Sequence, residues 1–188
     1  NVVPPVCKLI VNGPLKVTPE EGITVTEENG KTIVEATGFS AHGSTPELGV
    51  NAVVKLLNAV KENDFGGDFQ QLVNFILEEI GNETNGKSLD ILYQDEETGE
   101  TTVNLGVVKY DGEEMSFTLD IRYPKNGDAE VIDDKVINRI NSYNFDVLKK
   151  TNNKLLYVPK DSELVSKLVK VYEAQTGDKR EPIAIGGG

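Results

Sequence analysis

The sequence predicts an α+β fold in which an antiparallel sheet carries helices on one face. Two tight-turn dipeptides, Asn29-Gly30 and Asp111-Gly112, are each flanked by runs of β-branched and apolar residues, which is typical of β-hairpins. Two other segments, 48–60 and 69–80, repeat apolar residues at helical intervals. Because strands joined by short turns are antiparallel, this combination favours an antiparallel sheet backed by two main helices.

The first part of the chain is predicted to hold a strand followed by a hairpin. Pro4-Pro5 interrupts the apolar run 2–11, so the first strand is expected to begin after these prolines. The runs 23–26 and 32–36 are the arms of the hairpin, because both positions of Asn29-Gly30 tolerate the positive φ that a two-residue turn requires. Three strands are therefore expected before the first helix.

Two helices are predicted to follow these strands. The first is expected to open at Ser44-Thr45-Pro46-Glu47, where serine and glutamate have capping-box spacing and proline lies in the first turn. Its apolar residues recur at helical intervals as far as Val60, so one face is expected to be buried. The second helix is expected to run from Phe69 to Ile80 and to end at Gly81.

A second hairpin is predicted after these helices, with strands at 103–110 and 115–123 on either side of Asp111-Gly112. Apolar and polar residues alternate in its second strand, so one face belongs to the core and the other is wet. Arg122 lies on the polar face at the end of this strand. The remaining predicted elements are a helix, a strand, an amphipathic helix and a final strand, at 129–140, 147–158, 162–173 and 181–185.

Composition limits the classes of partner. The 188 residues include 31 acidic and 19 basic ones, which gives a formal net charge of -12. A chain this acidic repels phosphate backbones and anionic lipids, so no nucleic acid and no membrane is expected as a partner. The single cysteine, Cys7, excludes an internal disulfide framework and fits a reducing compartment. With neither a signal-peptide pattern nor a long apolar run, a cytoplasmic location is expected.

His42 is the only histidine in the chain and the strongest candidate for a chemical role. It lies in the run 38–52, which is interpreted as a strand end, a tight loop and a helix start, so the imidazole is expected to be held between two rigid elements. A metal site usually needs several imidazoles or thiolates at short spacing, and one histidine with one distant cysteine does not supply them. The neighbouring Ser40 and Ser44 lie in no Gly-x-Ser-x-Gly elbow, and Gly186-Gly187-Gly188 lacks the lysine of a phosphate loop.

Together these runs resemble a known family. The run Gly38-Phe-Ser-Ala-His-Gly-Ser-Thr-Pro-Glu-Leu-Gly-Val-Asn-Ala52 resembles the lid motif of the dinuclear zinc peptidases related to aminoacylase, glutamate carboxypeptidase and desuccinylase. The segments 104–108, 119–124 and 176–188 are similar to the peptidase V type of bacterial dipeptidase. The resemblance extends along essentially the whole chain and implies a hydrolase that cleaves short peptides with a free C-terminal carboxylate.

The resemblance also implies a division of the chain. Residues 1–158 would form a ferredoxin-like, substrate-binding lid, and residues 159–188 would be the truncated helix-strand start of the return to an α/β catalytic domain. The two zinc (or manganese) ions of such enzymes would belong to the catalytic domain of the parent chain, so this fragment is expected to hold no metal and to be inactive alone. The expected partners are a dipeptide, that catalytic domain and, through the lid, a second copy in a dimer.

Individual residues carry over from the family motifs. His42 matches the lid histidine that donates a hydrogen bond to the oxyanion, and Arg122 matches the arginine that binds the substrate carboxylate. Asn1 matches the asparagine of the Asn-Val-Val-Pro motif, which helps to hold the same end of the substrate. Gly186-Gly187-Gly188 matches the start of the glycine-rich substrate loop, and Asn104 is interpreted as structural.

The residues on their own leave alternatives open. A lone histidine in such a loop is more often structural, and an arginine at a strand end is more often a surface ion-pair partner. Cys7 fits a small buried hydrophobic residue, and the acidic run 95–100 fits a solvated turn. The rival function is a non-catalytic α+β module for oligomerisation or peptide binding through an exposed hairpin edge. A self-sufficient hydrolase is disfavoured by the missing metal ligands.

Overall fold

The computed structural model describes residues 2–153 and 155–185 and has the predicted α+β architecture. Its strands are β1 (Val6–Asn12), β2 (Ile23–Glu28), β3 (Lys31–Thr37), β4 (Gln94–Asp95), β5 (Gly99–Glu100), β6 (Thr102–Tyr110) and β7 (Met115–Arg122). Its helices are α1 (Ala52–Val60), α2 (Gly67–Phe75), α3 (Ala129–Ser142) and α4 (Glu163–Thr176). A 3-10 turn at Pro46–Leu48 precedes α1, and a π-helical turn at Ile76–Ile80 extends α2.

The first sheet is antiparallel with the strand order β1-β3-β2. This order confirms the strand after the prolines and the hairpin around Asn29-Gly30, whose φ angles are 52° and 74°. Both values lie in the left-handed region that a two-residue hairpin turn uses. Helix α1 packs on this sheet through contacts with β1 and β3.

The second predicted hairpin is confirmed as β6 and β7, but its loop holds four residues instead of two. Asp111 Oδ1 accepts hydrogen bonds from the backbone N–H groups of Glu114 (2.9 Å) and Glu113 (3.0 Å). Both bonds lower the pKa of the Asp111 carboxyl, and the bond from Glu114 has the larger effect. The carboxylate therefore organises a wider loop than the Asp-Gly signal predicted. A β-bulge interrupts the ladder between Leu105 and Val108.

One hydrophobic core joins the sheets to helices α1, α2 and α3. Phe75 at the end of α2 is fully buried, and its ring contacts those of Phe117 and Tyr143 at centroid distances of 5.0 and 5.3 Å. Leu105 of β6 and Val34 of β3 are buried in the same cluster. The helical periodicity that predicted a buried face on the first two helices is therefore confirmed.

The first helix begins later than the capping box predicted. Ser44 caps nothing in this segment; the chain makes the short 3-10 turn, extends again, and enters α1 at Ala52 with Asn51 as the N-cap. The reason is a long-range pairing, because Phe39 and Val50 exchange backbone hydrogen bonds and hold Val50 in an extended conformation. A local sequence signal cannot anticipate a pairing of this kind.

Asn51 has two structural roles, and replacing it by alanine is expected to lower the free energy of unfolding by about 1–3 kcal/mol. Its Oδ1 accepts from the N–H of Val53 (3.0 Å), and its Nδ2 donates to the carbonyl oxygen of Leu105 (2.8 Å), which ties α1 to β6. Urea unfolding of the chain measures the loss. Asn58→Ala is the matched control, because among the described residues the Asn58 side chain bonds only to the carbonyl oxygen of Val54 in the same helix. Equal losses for the two variants would contradict the dual role.

The C-terminal part departs furthest from the predictions. Helix α4 is present, but the described residues of 147–158 and the run 181–185 form no strand. The stretch around Tyr157 is attached by side-chain contacts instead, because the Tyr157 hydroxyl donates a hydrogen bond to the Glu97 carboxylate (2.6 Å). No residue of α4 is buried, and no helix within the described ranges is long and apolar enough to cross a membrane.

Candidate functional site

His42 lies in the loop between β3 and the 3-10 turn, and its side chain is exposed. Before and after this loop, Phe39 and Val50 exchange backbone hydrogen bonds of 2.9 and 2.8 Å. Gly38 permits this close approach, since a Cβ at position 38 would lie 2.0 Å from the carbonyl oxygen of Val50. Within the loop, the N–H of Thr45 donates to the His42 carbonyl oxygen (2.9 Å). The backbone that carries the imidazole is thus fixed on both sides.

Ser44 determines which nitrogen of the His42 ring carries the proton. The backbone N–H of Ser44 lies 3.2 Å from Nδ1, and the Ser44 hydroxyl oxygen lies 2.8 Å from the same atom. A backbone N–H can only donate, so Nδ1 is an acceptor, and the neutral ring carries its proton on Nε2. His42 therefore presents an Nε2–H donor at the exposed end of its ring.

This tautomer can be measured directly, because the chain has a single histidine and so a single set of imidazole resonances. We expect nitrogen-15 NMR, at a pH where the ring is neutral, to show Nε2 protonated and Nδ1 unprotonated as the major form. Ser44→Ala should shift the ratio only partly, since the backbone donor remains. Ser40→Ala is the control and should change nothing. A spectrum dominated by protonated Nδ1 would refute the assignment.

Arg122 lies at the end of β7, opposite Thr102 of β6. One guanidinium nitrogen, NH2, is 3.1 Å from Oδ2 of Asp120, and the two side chains are only 22% and 24% exposed. Both residues project from the same face of β7, since they are two positions apart. A charge pair with this little exposure is screened weakly, so Asp120 orients the guanidinium.

The first residues of the described chain join the His42 loop to the Arg122 hairpin. Val3 N–H donates to the carbonyl oxygen of Ala41 (2.9 Å), and Val2 is paired with His42 in an antiparallel bridge. On the other side, the Val2 carbonyl oxygen accepts from Nδ2 of Asn104 (3.0 Å). The segment is anchored further by Pro5 and Pro4, whose carbonyl oxygens accept from Gly38 and Ala52 (2.8 and 2.9 Å).

Asn104, which the sequence interpretation treats as structural, ties hairpin β6–β7 to the Val2 segment. It is 2% exposed, lies opposite Asp120 in the β6–β7 ladder and bonds the segment that pairs with His42. It lines two clefts, one of about 340 Å³ beside the 3-10 turn and one of about 320 Å³ between Val2–Pro4 and the hairpin. The available signal was an amide between the apolar Val103 and Leu105 in a strand, which is an unusual place for a polar side chain.

Two background predictions have different outcomes. Cys7 is partly buried against the core, where burial raises the pKa of its thiol, as expected of a small hydrophobic residue.

The acidic run 95–100 is more than a solvated turn, because Lys125 forms ion pairs with Asp95 and Glu97. The hydrogen bond from Lys125, followed by that from Tyr157, lowers the pKa of Glu97. These contacts attach the segment before α4 to the β4–β5 hairpin.

The described residues do not form a metal centre. Within 2–153 and 155–185, no group of three or more His, Cys, Asp or Glu side chains is arranged to hold a metal ion. Asn1 and Gly186-Gly187-Gly188 lie outside the described residues, so their substrate contacts stay predictions. The candidate site among the described residues therefore consists of His42 and Arg122, which are connected through Val2, Asn104 and Asp120.

Comparisons with known proteins find relatives that are named dipeptidases. No protein-family model matches the chain. "Putative dipeptidase YtjP" of Bacillus subtilis is 31% identical over 201 aligned positions, covering 100% of this chain and 42% of the relative. Proteins named putative dipeptidase in several Staphylococcus aureus strains, including USA300 and N315, are 34% identical over 152 positions, covering 80% of this chain and 32% of the relative. The chain thus spans 32–42% of the length of these relatives, and their names support a dipeptidase family.

Proposed function

We propose that this chain is the substrate-binding lid, residues 1–158, of a metal-dependent dipeptidase of the peptidase V type. The observation that carries the proposal is the geometry of His42, an exposed imidazole with Nε2–H as its donor, joined through Val2 and Asn104 to the hairpin of Arg122. The similarity to proteins named putative dipeptidases supports it. The proposed substrates are short peptides with a free C-terminal carboxylate.

In this proposal each described site residue has one task. His42 Nε2–H donates a hydrogen bond to the carbonyl oxygen of the scissile peptide as negative charge develops on it, which favours the transition state over the ground state. Arg122 binds the terminal carboxylate through its guanidinium, whose donors match both carboxylate oxygens. Asp120 keeps that guanidinium in place at 3.1 Å.

The two zinc (or manganese) ions are assigned to a catalytic domain elsewhere in the same parent chain. The described residues do not fit a metal, and every step assigned to this chain is a hydrogen bond or an ion pair. It follows that the isolated chain should be inactive and should bind no catalytic metal. A cytoplasmic location is part of the same proposal.

Helix α4 supports the division of the chain at residue 158. Its apolar Leu164, Leu168 and Val171 recur on one face and are 58–60% exposed, although such a stripe is normally buried in a globular protein. We assign residues 159–188 to the returning catalytic segment, so that this face packs against the catalytic domain.

A non-catalytic oligomerisation module remains the second candidate, favoured by β1. This strand lies at the edge of its sheet and exposes Val6 and Ile10 by 65% and 53%. Such an edge can pair with another copy, in an inactive module or in a lid-mediated dimer of the dipeptidase. Sedimentation of the full-length protein, combined with its activity, separates the two possibilities.

The decisive test is hydrolysis of free dipeptides by the full-length protein that contains this chain. We expect metal-dependent cleavage of a free dipeptide, strongly reduced cleavage of the same dipeptide with an amidated C-terminus, and no activity for the 188-residue chain alone. A full-length protein that self-associates but leaves dipeptides intact would favour the oligomerisation module.

A further inference from the structure

The polar face of hairpin β6–β7, opposite the face of Val103 and Leu105 that packs in the core, contains buried polar atoms that need partners. Asn104 Oδ1 accepts no hydrogen bond from the described residues, although Nδ2 of the same amide donates to Val2. Thr102 Oγ1, two positions earlier on the same strand, is likewise buried and without a partner in the described part of the chain. Buried polar atoms in folded proteins are nearly always hydrogen-bonded, so a donor from a ligand or from solvent is expected near this face.

Asn104 differs from Thr102 because its amide lines a cleft. The cleft of about 320 Å³ runs between Val2–Pro4 and the hairpin, and its polar lining comes mainly from Asn104, Thr118 and Asp120. Gly106 leaves space at the base of the cleft, because a Cβ at position 106 would lie 3.1 Å from Thr118 Oγ1 and 3.9 Å from Asn104 Nδ2. A larger residue at position 106 would occupy the space in front of the amide.

The polar atoms of this cleft are mostly hydrogen-bond acceptors. One N–H of the Asn104 Nδ2 group is used by Val2, and Oδ1 of the same amide has no partner among the described residues. The carboxylate of Asp120 can only accept, and one of its oxygens is bonded to Arg122. The hydroxyl oxygen of Thr118 accepts from the N–H of Val107 (2.9 Å). A ligand complementary to this lining must donate several hydrogen bonds, and beside a carboxylate it gains by carrying positive charge.

We propose that the cleft is a subsite for the α-ammonium group of a short peptide, with Asn104 Oδ1 and the Asp120 carboxylate as its acceptors. An ammonium group offers three donors and one positive charge in a small volume, which matches this lining. The proposal rests on the proposed function and extends it: Arg122 recognises the carboxylate end of the substrate, and Asn104 recognises the amino end. Recognition of both free ends restricts the enzyme to very short peptides.

The test compares two substrates of the full-length protein that differ only in the ammonium group. Alanyl-alanine carries it, and propionyl-alanine has hydrogen in its place. We expect the native protein to prefer alanyl-alanine in kcat/KM by about 10- to 100-fold, the effect of a hydrogen bond to a charged group. Asn104→Leu should reduce that preference about tenfold, mainly by raising KM for alanyl-alanine. Loss of the Nδ2 bond to Val2 should lower kcat/KM for both substrates by the same factor, which cancels in the preference.

Two further variants separate binding from structural support. Asn104→Asp loses the donor to Val2 but retains acceptor oxygens, so the preference for alanyl-alanine should persist or increase. Thr102→Val removes the other buried hydroxyl, which does not line the cleft, and the preference should be unaltered. If Asn104→Leu does not fold, Asn104→Asp decides the question.

The outcomes that overturn the inference are distinct from those that overturn the proposed function. Equal losses for both substrates in Asn104→Leu, or loss of the preference in Asn104→Asp, would mean that the amide only supports Val2. An undiminished kcat/KM for both substrates in Asn104→Leu would mean that no substrate group binds Oδ1 and that water alone satisfies it. In each of these cases the dipeptidase assignment stands. A native full-length protein that does not cleave alanyl-alanine would remove the proposed function, and the subsite with it.

Discussion

Replacing His42 by alanine in the full-length protein is expected to lower kcat for a free dipeptide by about 10²–10³-fold. The physical reason is that the imidazole donates to an oxygen whose negative charge develops only in the transition state, so its loss affects turnover more than substrate binding. The ring is exposed on a fixed loop, so its removal should leave the fold intact. Steady-state kinetics with a metal analysis of the variant measure the effect.

The control for this result is Ser44→Ala, which keeps the imidazole and the backbone donor to Nδ1 while removing the hydroxyl contact. We expect a loss several-fold smaller than that of His42→Ala, because the Nε2–H tautomer remains available. Bound metal should be equal in both variants and in the native protein. Near-normal turnover of His42→Ala would eliminate the oxyanion role, and a loss of metal in that variant would assign His42 to metal binding.

Replacing Arg122 by alanine should raise KM for free dipeptides by about 10- to 100-fold and leave the hydrolysis of C-terminally amidated dipeptides nearly unchanged. Only a substrate with a terminal carboxylate loses an ion pair in this variant. Arg122→Lys should recover part of the affinity, since an ammonium provides the charge without the planar pair of donors. Kinetics on paired free and amidated substrates provide the measurement.

The effect of Arg122→Ala on substrate binding must be separated from its effect on Asp120, the ion-pair partner of Arg122. Removal of the guanidinium leaves a carboxylate that is 24% exposed without its cation, which can destabilise the hairpin independently of substrate. The double variant Arg122→Ala/Asp120→Asn removes that unpaired charge. Its test substrates are propionyl-alanine and the C-terminal amide of propionyl-alanine, because both lack the ammonium group that is proposed to contact Asp120. The double variant should show the same selective loss for the substrate with the free carboxylate. If the double variant restores the affinity, or if both substrate types lose equally, Arg122 has a structural role and the carboxylate site lies elsewhere.

Local signals in the sequence predicted the hairpins and helices well. Asn29-Gly30 specifies its turn because the two residues tolerate the required backbone angles wherever they occur. Helix α1 was misplaced at its start because Phe39 and Val50 pair across the His42 loop, and this pairing overrides the capping signal at Ser44. The strand expected at 147–158 is wrong for a related reason: apolar β-rich residues need a partner strand, and Tyr157 is held by side-chain contacts instead.

The candidate site was predictable in its residue types but not in its connections. His42 is conspicuous as the single histidine, and Arg122 as a cation at a strand end. Asn104 is different, because its importance depends on a hydrogen bond to Val2, a residue 102 positions earlier in the chain. No periodicity or turn motif reports a contact between such distant residues, so burial and pairing had to come from the structure.

The short segment from Val2 to Pro5 has a practical consequence for anyone who produces this protein. This segment pairs with the His42 loop on one side and is bonded by Asn104 of hairpin β6–β7 on the other, so a cut after Pro5 would separate the imidazole from the hairpin while most of the core stayed intact. Amide hydrogen exchange at Val3 would then report, in one residue, whether the two halves of the site are assembled.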